Sequence, residues 1–343
     1  MIIPSEAIDY CIWSLRQYIF ENRIFDSKIL PLAKIFSRFP QELALTTTNL
    51  CNLKCIWCPN KHIKSKGVMG RELYEKIVNE FIYDYRQFNK RILFGEFGEP
   101  FVDKNFTDRI DYIRKINSTL PISLFTNGYA LNKEIAAKLI ENKAAITISL
   151  DEVEPDLYFK VKGKDFNVVF NNVLDFIDLA KLKNHNLFEV QVKTLMSRKE
   201  INKSKNFHLL KNKTRNIHLR FMQGTAMQNW AGSIDKNKLF DKIGLHKKPP
   251  HRFIKEKLNV PCIRLFTTLQ VNYDGKVHLC CKDMLGKVIL GDLNENSIKE
   301  VWQGGKIENI RNTAIGRQRN KIPLCNICDF LRSWRYLKGR KFC

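Results

Sequence analysis

From residue 41 to residue 222 the apolar positions switch repeatedly between two periods. Short runs that are apolar throughout, or apolar at every second position, read as strands. Longer stretches with apolar residues three or four apart read as helices. The pattern predicts strands at Glu42–Thr47, Arg91–Phe94, Pro121–Thr126, Ala145–Leu150, Phe188–Leu195 and Ile217–Met222. Between them it predicts helices at Glu72–Tyr83, Asn105–Ile116, Lys133–Asn142, Val168–Lys183 and Asn202–Leu210. Six strands alternating with helices argue for a parallel α/β architecture, whose chemistry gathers at the C-terminal ends of the strands.

Three strands are two-faced. Ile146, Ile148 and Leu150 share one side, and Thr147, Ser149 and Asp151 the other. Val190, Val192 and Thr194 oppose Gln191, Lys193 and Leu195, while Ile217, Leu219 and Phe221 oppose His218, Arg220 and Met222. With the apolar sets toward the helices, Ser149, Asp151, Gln191, Lys193, His218 and Arg220 are expected to point inward. The inward arginine suits a carboxylate or phosphate.

The flanks follow other rhythms. Residues 1–40 predict two short amphipathic helices packed against the main domain, with Asp26 and Ser27 as N-cap candidates and Pro31 in a first turn. Over 229–261, Asn229-Trp230-Ala231-Gly232 and Lys247-Lys248-Pro249-Pro250-His251-Arg252 break the strand–helix pattern and read as a linker. Residues 262–343 then form a smaller domain. There Val271–Cys280 reads as a hairpin turning at Asp274-Gly275, followed by a helix over Lys299–Arg311. Alternation along the hairpin sends Cys280 and Cys281 to opposite faces.

Composition narrows the function. The chain has 343 residues, 44% of them hydrophobic, enough for a real core. No segment approaches the ~20 apolar residues of a membrane span. The stretch Ile8–Phe20 is broken by Asp9, Arg16 and Gln17, too polar for a signal peptide. The net charge of +23 favours anionic partners, yet its basic residues are spread along the chain and form no nucleic-acid stripe. A specific nucleic-acid partner is not expected. Ten cysteines grouped as C-x3-C-x2-C and C-x2-C argue for metal or cluster ligation in a reducing compartment, the cytoplasm, over disulfides.

Cys51, Cys55 and Cys58 bring three thiolates together within eight residues, right after the first strand, with no fourth nearby. A [4Fe–4S] cluster ordinarily takes four cysteines, so three leave one iron open. A zinc knuckle, with His62 as a fourth ligand, is the competing reading. The loop resembles the signature of radical S-adenosylmethionine (SAM) enzymes. The strand-end motifs support that resemblance: Gly95-Glu96-Phe97-Gly98-Glu99-Pro100 is similar to the family's Gly-Gly-Glu-Pro turn, with Phe97 in place of the first glycine, and Thr126-Asn127-Gly128 and Ser149-Leu150-Asp151 follow. The resemblance implies a partial (β/α)6 TIM-like barrel over 41–228 and a small C-terminal α+β iron–sulfur domain. It implies SAM held near Gly98, Glu99, Pro100, Asn127, Ser149 and Asp151. Gly98 is expected to let the backbone approach the ligand.

Cys262, Gly275-x4-Cys280 and Cys325-x2-Cys328 resemble the SPASM/twitch extension of the same enzymes. Trp334 and Leu337 stand where a two-cluster version carries further cysteines, and only Cys343 remains. The resemblance implies one auxiliary [4Fe–4S] cluster on Cys262, Cys280, Cys325 and Cys328, with zinc as the alternative occupant and Cys281 as an alternative ligand. Four thiolates leave no open iron, so this cluster would carry electrons. The implied enzyme is an oxidoreductase that cleaves SAM reductively and removes a hydrogen atom from substrate. An alcohol-to-ketone oxidation of a sugar or aminocyclitol leads. Modification of a peptide, and epimerisation or deoxygenation of a sugar, stand beside it, as does a non-catalytic iron–sulfur carrier or zinc-stabilised binding protein. The expected partners are a small molecule or peptide substrate and a flavodoxin- or ferredoxin-like electron donor.

Overall fold

A computed structural model describes residues 37–84, 90–215, 218–223, 228–235, 238–239, 261–262 and 264–328. The amphipathic helices expected before residue 37, most of the 229–261 linker, and Trp334, Leu337 and Cys343 lie outside the described residues. Among the described residues no helix is long and apolar enough to cross a membrane.

Six strands, β1 (Glu42–Leu45), β2 (Arg91–Phe94), β3 (Ile122–Thr126), β4 (Ala145–Ser149), β5 (Phe188–Thr194) and β6 (Leu219–Gln223), pair in parallel in sequence order. Each lies within about two residues of its predicted span. The intervening helices are α1 (Arg71–Tyr83), α2 (Phe106–Ile116), α3 (Lys133–Glu141), α4 (Pro155–Lys162), α5 (Phe166–Leu182), α6 (Arg198–Ile201) and α7 (Lys205–Lys213). Local chemistry sets their ends. Asp165 caps α5 by accepting from the Asn167 N–H, Asn132 caps α3, and Ser197 and Glu200 form a reciprocal capping box on α6.

Helix α4 has no counterpart in the hydrophobic pattern. Its eight residues start at Pro155, which presets the first turn, and stop at Gly163, whose φ of +72° forms a left-handed cap. So short a segment shows too few turns for a period to stand out.

The main core is one continuous mass between sheet and helices. Phe166, Val169, Phe170, Val173, Phe176, Ile177 and Ala180 bury one stripe of α5. Against such stripes pack the apolar sides of the strands, including Ile146 and Ile148 of β4 and Val190 and Val192 of β5. The alternation expected in β4 is observed: Ala145, Thr147 and Ser149 are half-buried while Ile146 and Ile148 are buried.

The C-terminal segment begins with α8 (Arg264–Thr267) and continues into β7 (Thr268–Val271), β8 (Lys276–His278) and β9 (Ile289–Asp292). The expected hairpin forms, turning through Gly275 at φ +83°. It does not stand apart from the barrel strands. Strand β7 pairs in parallel with β1, making one nine-stranded sheet in the order β6-β5-β4-β3-β2-β1-β7-β8-β9. The single helix expected at Lys299–Arg311 is two, α9 (Ile298–Trp302) and α10 (Gly305–Ile315), broken at Gly304. Buried Arg311 ties them down by donating to the Leu265 and Trp302 carbonyls, with its guanidinium stacked 4.2 Å over the Trp302 ring.

Candidate active site and its two cysteine sets

The loop carrying Cys51, Cys55 and Cys58 is held at both ends. Where the chain leaves β1, Asn49 Nδ2 donates to the Ser65 carbonyl at 3.0 Å, and its Oδ1 accepts from the Gly67 N–H at 2.9 Å. At the far end Asn60 Nδ2 donates to the carbonyls of Asn49 and Phe97, both at 2.8 Å. The Ile56 N–H donates to Val161 of α4 at 3.0 Å, so the helix without a sequence signal props up the loop. Inside the loop, the Cys58 N–H donates to the Cys55 carbonyl at 3.1 Å. Burial pushes the Cys51 thiol up to about 11 and Cys58 to about 12, and the Cys55 sulfur adds to both shifts.

The turn after β2 interlocks with that loop. The Glu99 N–H donates to the Leu50 carbonyl at 2.9 Å. A Cβ on Gly98 would meet the Thr48 carbonyl oxygen at 2.3 Å and that of Leu50 at 2.7 Å. The close approach that Gly98 permits is therefore to the cysteine loop's own backbone. Phe97 is buried, with its ring centroid 5.2 Å from that of His278 on β8. A side chain at this position thus fills the contact with the C-terminal segment. The Glu99 carboxylate accepts from Thr126 Oγ1 and from the Asn127 N–H, both at 2.7 Å, and burial pushes it up to about 7. It holds the end of β3 in place, and Asn127 then donates to Asn52 Oδ1 at 2.8 Å and to Cys51 Sγ at 3.8 Å.

Past β4, Asp151 is buried at φ +69°, with its carboxylate 2.5 Å from Lys162 Nζ and 3.7 Å from Lys193. Burial opposes its ionisation, but the two lysines outweigh burial and hold the carboxyl below its ordinary value. Lys162, 3% exposed on the last turn of α4, also donates to the Ser149 carbonyl at 3.0 Å. It faces Cys55, and its own charge is held by Asp151 against burial. Sequence reasoning missed it because its helix was missed. Glu152, also unflagged, accepts from Thr194 and from the Leu195 N–H, fixing the exit of β5, and burial pushes it up to about 7.

Of the inward-facing expectations, Gln191, Lys193 and Arg220 share a face. Gln191 donates to Glu189 Oε1 at 2.6 Å, and Arg220 lies 3.6 Å from the same oxygen. His218 does not join them. It precedes β6, its ring stacks on Phe188 at 4.2 Å, and Nδ1 lies 3.0 Å from the Phe188 carbonyl, at the strand end opposite the cysteine loop.

A second set of thiols forms beyond β8. Cys262, Cys280, Cys325 and Cys328 gather around one small apolar cluster with Leu265, Ile322 and Leu324. Cys280 faces Cys281, Cys325 and Cys328, while buried Cys281 faces Arg264, Glu96 and Cys262. Both lie past the end of β8, so the chain's bend after His278 separates them, and strand alternation does not. Arg264 pairs with Glu96 at 3.3 Å and Glu42 at 3.8 Å, joining this set to the turn after β2. Arg319, 2% exposed, places its charge beside Cys325, Cys262 and Cys328.

The segment 228–235 connects the two sets. Trp230 and Ile234 pack with Ile56 and Trp57 of the first loop, and Asn229 Nδ2 donates to the Ile327 carbonyl, inside the second C-x2-C, at 2.7 Å.

These residues fit iron–sulfur clusters. Burial pushes the thiols of Cys51, Cys55, Cys58, Cys280 and Cys325 up, and each set has a buried cation beside it, Lys162 at one and Arg319 at the other. Iron supplies the charge that turns such thiols into thiolate ligands.

Comparison with known proteins agrees. Residues 45–190 match the Radical SAM superfamily, and residues 262–329 match the SPASM iron-sulfur cluster-binding domain. Over 194 residues the chain is 27% identical to a GTP 3',8-cyclase of Photorhabdus laumondii subsp. laumondii, covering 56% of this chain and 57% of that protein's length. The structure of BtrN in complex with AdoMet and 2-DOIA superposes with a TM-score of 0.56 at 17% identity, over 85% of this chain and 93% of that one. anSMEcpe with bound AdoMet and Cp18Cys peptide superposes with a TM-score of 0.54 at 18% identity, over 80% and 83%. The matched domains bring [4Fe–4S] clusters and SAM as cofactors, and the parallel sheet matches the partial TIM barrel. With cysteine loop, strand-end turns and C-terminal thiols in these positions, the chain belongs to the radical SAM superfamily and carries a SPASM-type iron–sulfur domain after its barrel.

Proposed function

We propose that this chain is a radical SAM oxidoreductase that oxidises an alcohol carbon of a sugar or aminocyclitol by two electrons. The observation that carries this is the pairing of a three-thiol loop with a separate four-thiol set on loops of one nine-stranded sheet. Cys51, Cys55 and Cys58 would hold a cluster that would supply the electron for cleaving SAM to methionine and a 5′-deoxyadenosyl radical able to take a hydrogen atom from substrate. Cys262, Cys280, Cys325 and Cys328 would hold a second that would take up the second electron.

The chain's own residues bind and orient. Gly98 and Glu99-Pro100 shape the rim against which the methionyl end of SAM rests. Asn127 and Ser149 line it. Asp151 Oδ1, buried and without a hydrogen-bond partner, offers an acceptor to SAM. Lys162 keeps positive charge beside Cys55. Glu189, Gln191, Lys193 and Arg220 present a polar face for a hydroxylated or anionic substrate. The resemblance to the cyclase and to the peptide-bound structure marks other substrates the fold accepts, and neither outweighs the closed second site. A flavodoxin- or ferredoxin-like donor in the cytoplasm would reduce the first cluster.

The test is anaerobic reconstitution, dithionite reduction and measurement of 5′-deoxyadenosine. Cluster-replete protein should form it, more with the right substrate, and Cys55→Ala should abolish it. Replete, reduced protein that forms none would overturn the reading in favour of an electron carrier.

A further inference from the structure

We propose that Arg319 sets the redox poise of the C-terminal cluster by placing a buried permanent charge against its thiolates. This rests on the reading of Cys262, Cys280, Cys325 and Cys328 as cluster ligands.

The observation is an unbalanced charge. Arg319 lies in the single turn Arg319–Lys321, six residues before Cys325, and is 2% exposed. The other buried arginines have carboxylates: Arg109 meets Asp103 at 2.7 Å and Arg311 meets Glu308 at 3.7 Å, while Arg264 meets Glu96 and Glu42. Among the described residues Arg319 has no carboxylate within 4.0 Å, and its Nε has no hydrogen-bond partner. What its guanidinium faces instead is sulfur, that of Cys325, Cys262 and Cys328, which pack together in one cluster. A buried unpaired guanidinium costs several kcal/mol. Thiolates on a cluster supply the missing negative charge.

The same charge has a directional consequence. Accepting an electron makes a four-thiolate cluster more negative, so a fixed cation beside it stabilises the reduced form more than the oxidised one. Net charge and hydrogen bonds to sulfur are the protein's means of moving such potentials. In the proposed oxidation, the substrate carbon radical gives one electron to this cluster and its hydroxyl proton to solvent, and the carbon–oxygen single bond becomes double. Arg319 raises the potential at which that electron is accepted. Arg264, already matched by two carboxylates, contributes less.

The experiment is an EPR-monitored redox titration of the full-length, iron-reconstituted chain carrying Cys51→Ala, Cys55→Ala and Cys58→Ala, so that the C-terminal cluster titrates alone. Arg319→Gln should leave at least tenfold less cluster reduced at a fixed solution potential, equivalent to about 59 mV for one electron. Its iron content should match the parent's, and Arg319→Lys should titrate close to the parent. Loss of iron from the Gln variant with retention in the Lys variant shows the same dependence on charge. A Gln variant that titrates like the parent, a Lys variant shifted as far as Gln, or iron loss from both overturns the proposal. A parent that binds zinc at this site overturns the cluster reading as well, and iron analysis distinguishes that failure from the others.

Discussion

Lys162 shows how much one residue can do without a motif to announce it. It pairs with Asp151, donates to the Ser149 carbonyl and faces Cys55, all while 3% exposed. Lys162→Met keeps the length and removes the charge, leaving Asp151 buried with Lys193 at 3.7 Å as its remaining cation. A loss of about 3–5 kcal/mol is expected, read as a lower urea midpoint at neutral pH. Glu99 acts in the opposite sense. Burial pushes it from 4.5 to about 7, so in that window the folded protein holds a proton that the unfolded chain releases. Stability from this residue therefore falls as pH rises from 4.5 to about 7. Glu99→Gln should flatten the pH dependence of the unfolding midpoint across that range, with a remaining slope from Glu152. A variant with the parent's slope would show that Glu99 ionises normally. Neither lysine pairing nor carboxylate burial is visible along the chain, since both arise between residues distant in sequence.

At the scale of elements, the site depends on backbone fitting backbone. The turn after β2 rests on the start of the cysteine loop with no room for a methyl group at Gly98. Gly98→Ala should displace Thr48–Leu50 and lower SAM affinity and 5′-deoxyadenosine yield at least tenfold, within the roughly hundredfold that a misplacement of about 1 Å can cost. Iron content should stay near the parent's, since the three cysteines are untouched. Equal SAM affinity in the variant, measured by calorimetry, would place the turn away from the cofactor. The strands and long helices of this region were legible in sequence because each repeats its period several times. Helix α4 was not, and neither was the break at Gly304, because single turns and one-residue caps carry no period.

Across the whole molecule, the C-terminal segment is part of the barrel's sheet. β7 pairs with β1, Phe97 meets His278, and Arg264 reaches Glu96 and Glu42. Two cysteine sets on one sheet should nonetheless load separately, because they share no ligand. Cys328→Ala is expected to lower iron from about eight to about four per chain while keeping 5′-deoxyadenosine formation in the absence of substrate. Loss of all iron would show that the two sites assemble as one. Substrate turnover should fall in the same variant, since the second electron then has no acceptor.

The sequence by itself determined the strand–helix order, the three-thiol loop and the four further thiols, because hydrophobic period and cysteine spacing are local properties. It also marked Gly98 and Asp151 as special, without saying what fills the space beside one or what balances the charge of the other. Tertiary structure alone decided those points, together with the failure of His218 to reach the site and the isolation of Arg319 among sulfurs. Packing brings together groups far apart in the chain, and the cost of burying charge then decides which of them must meet.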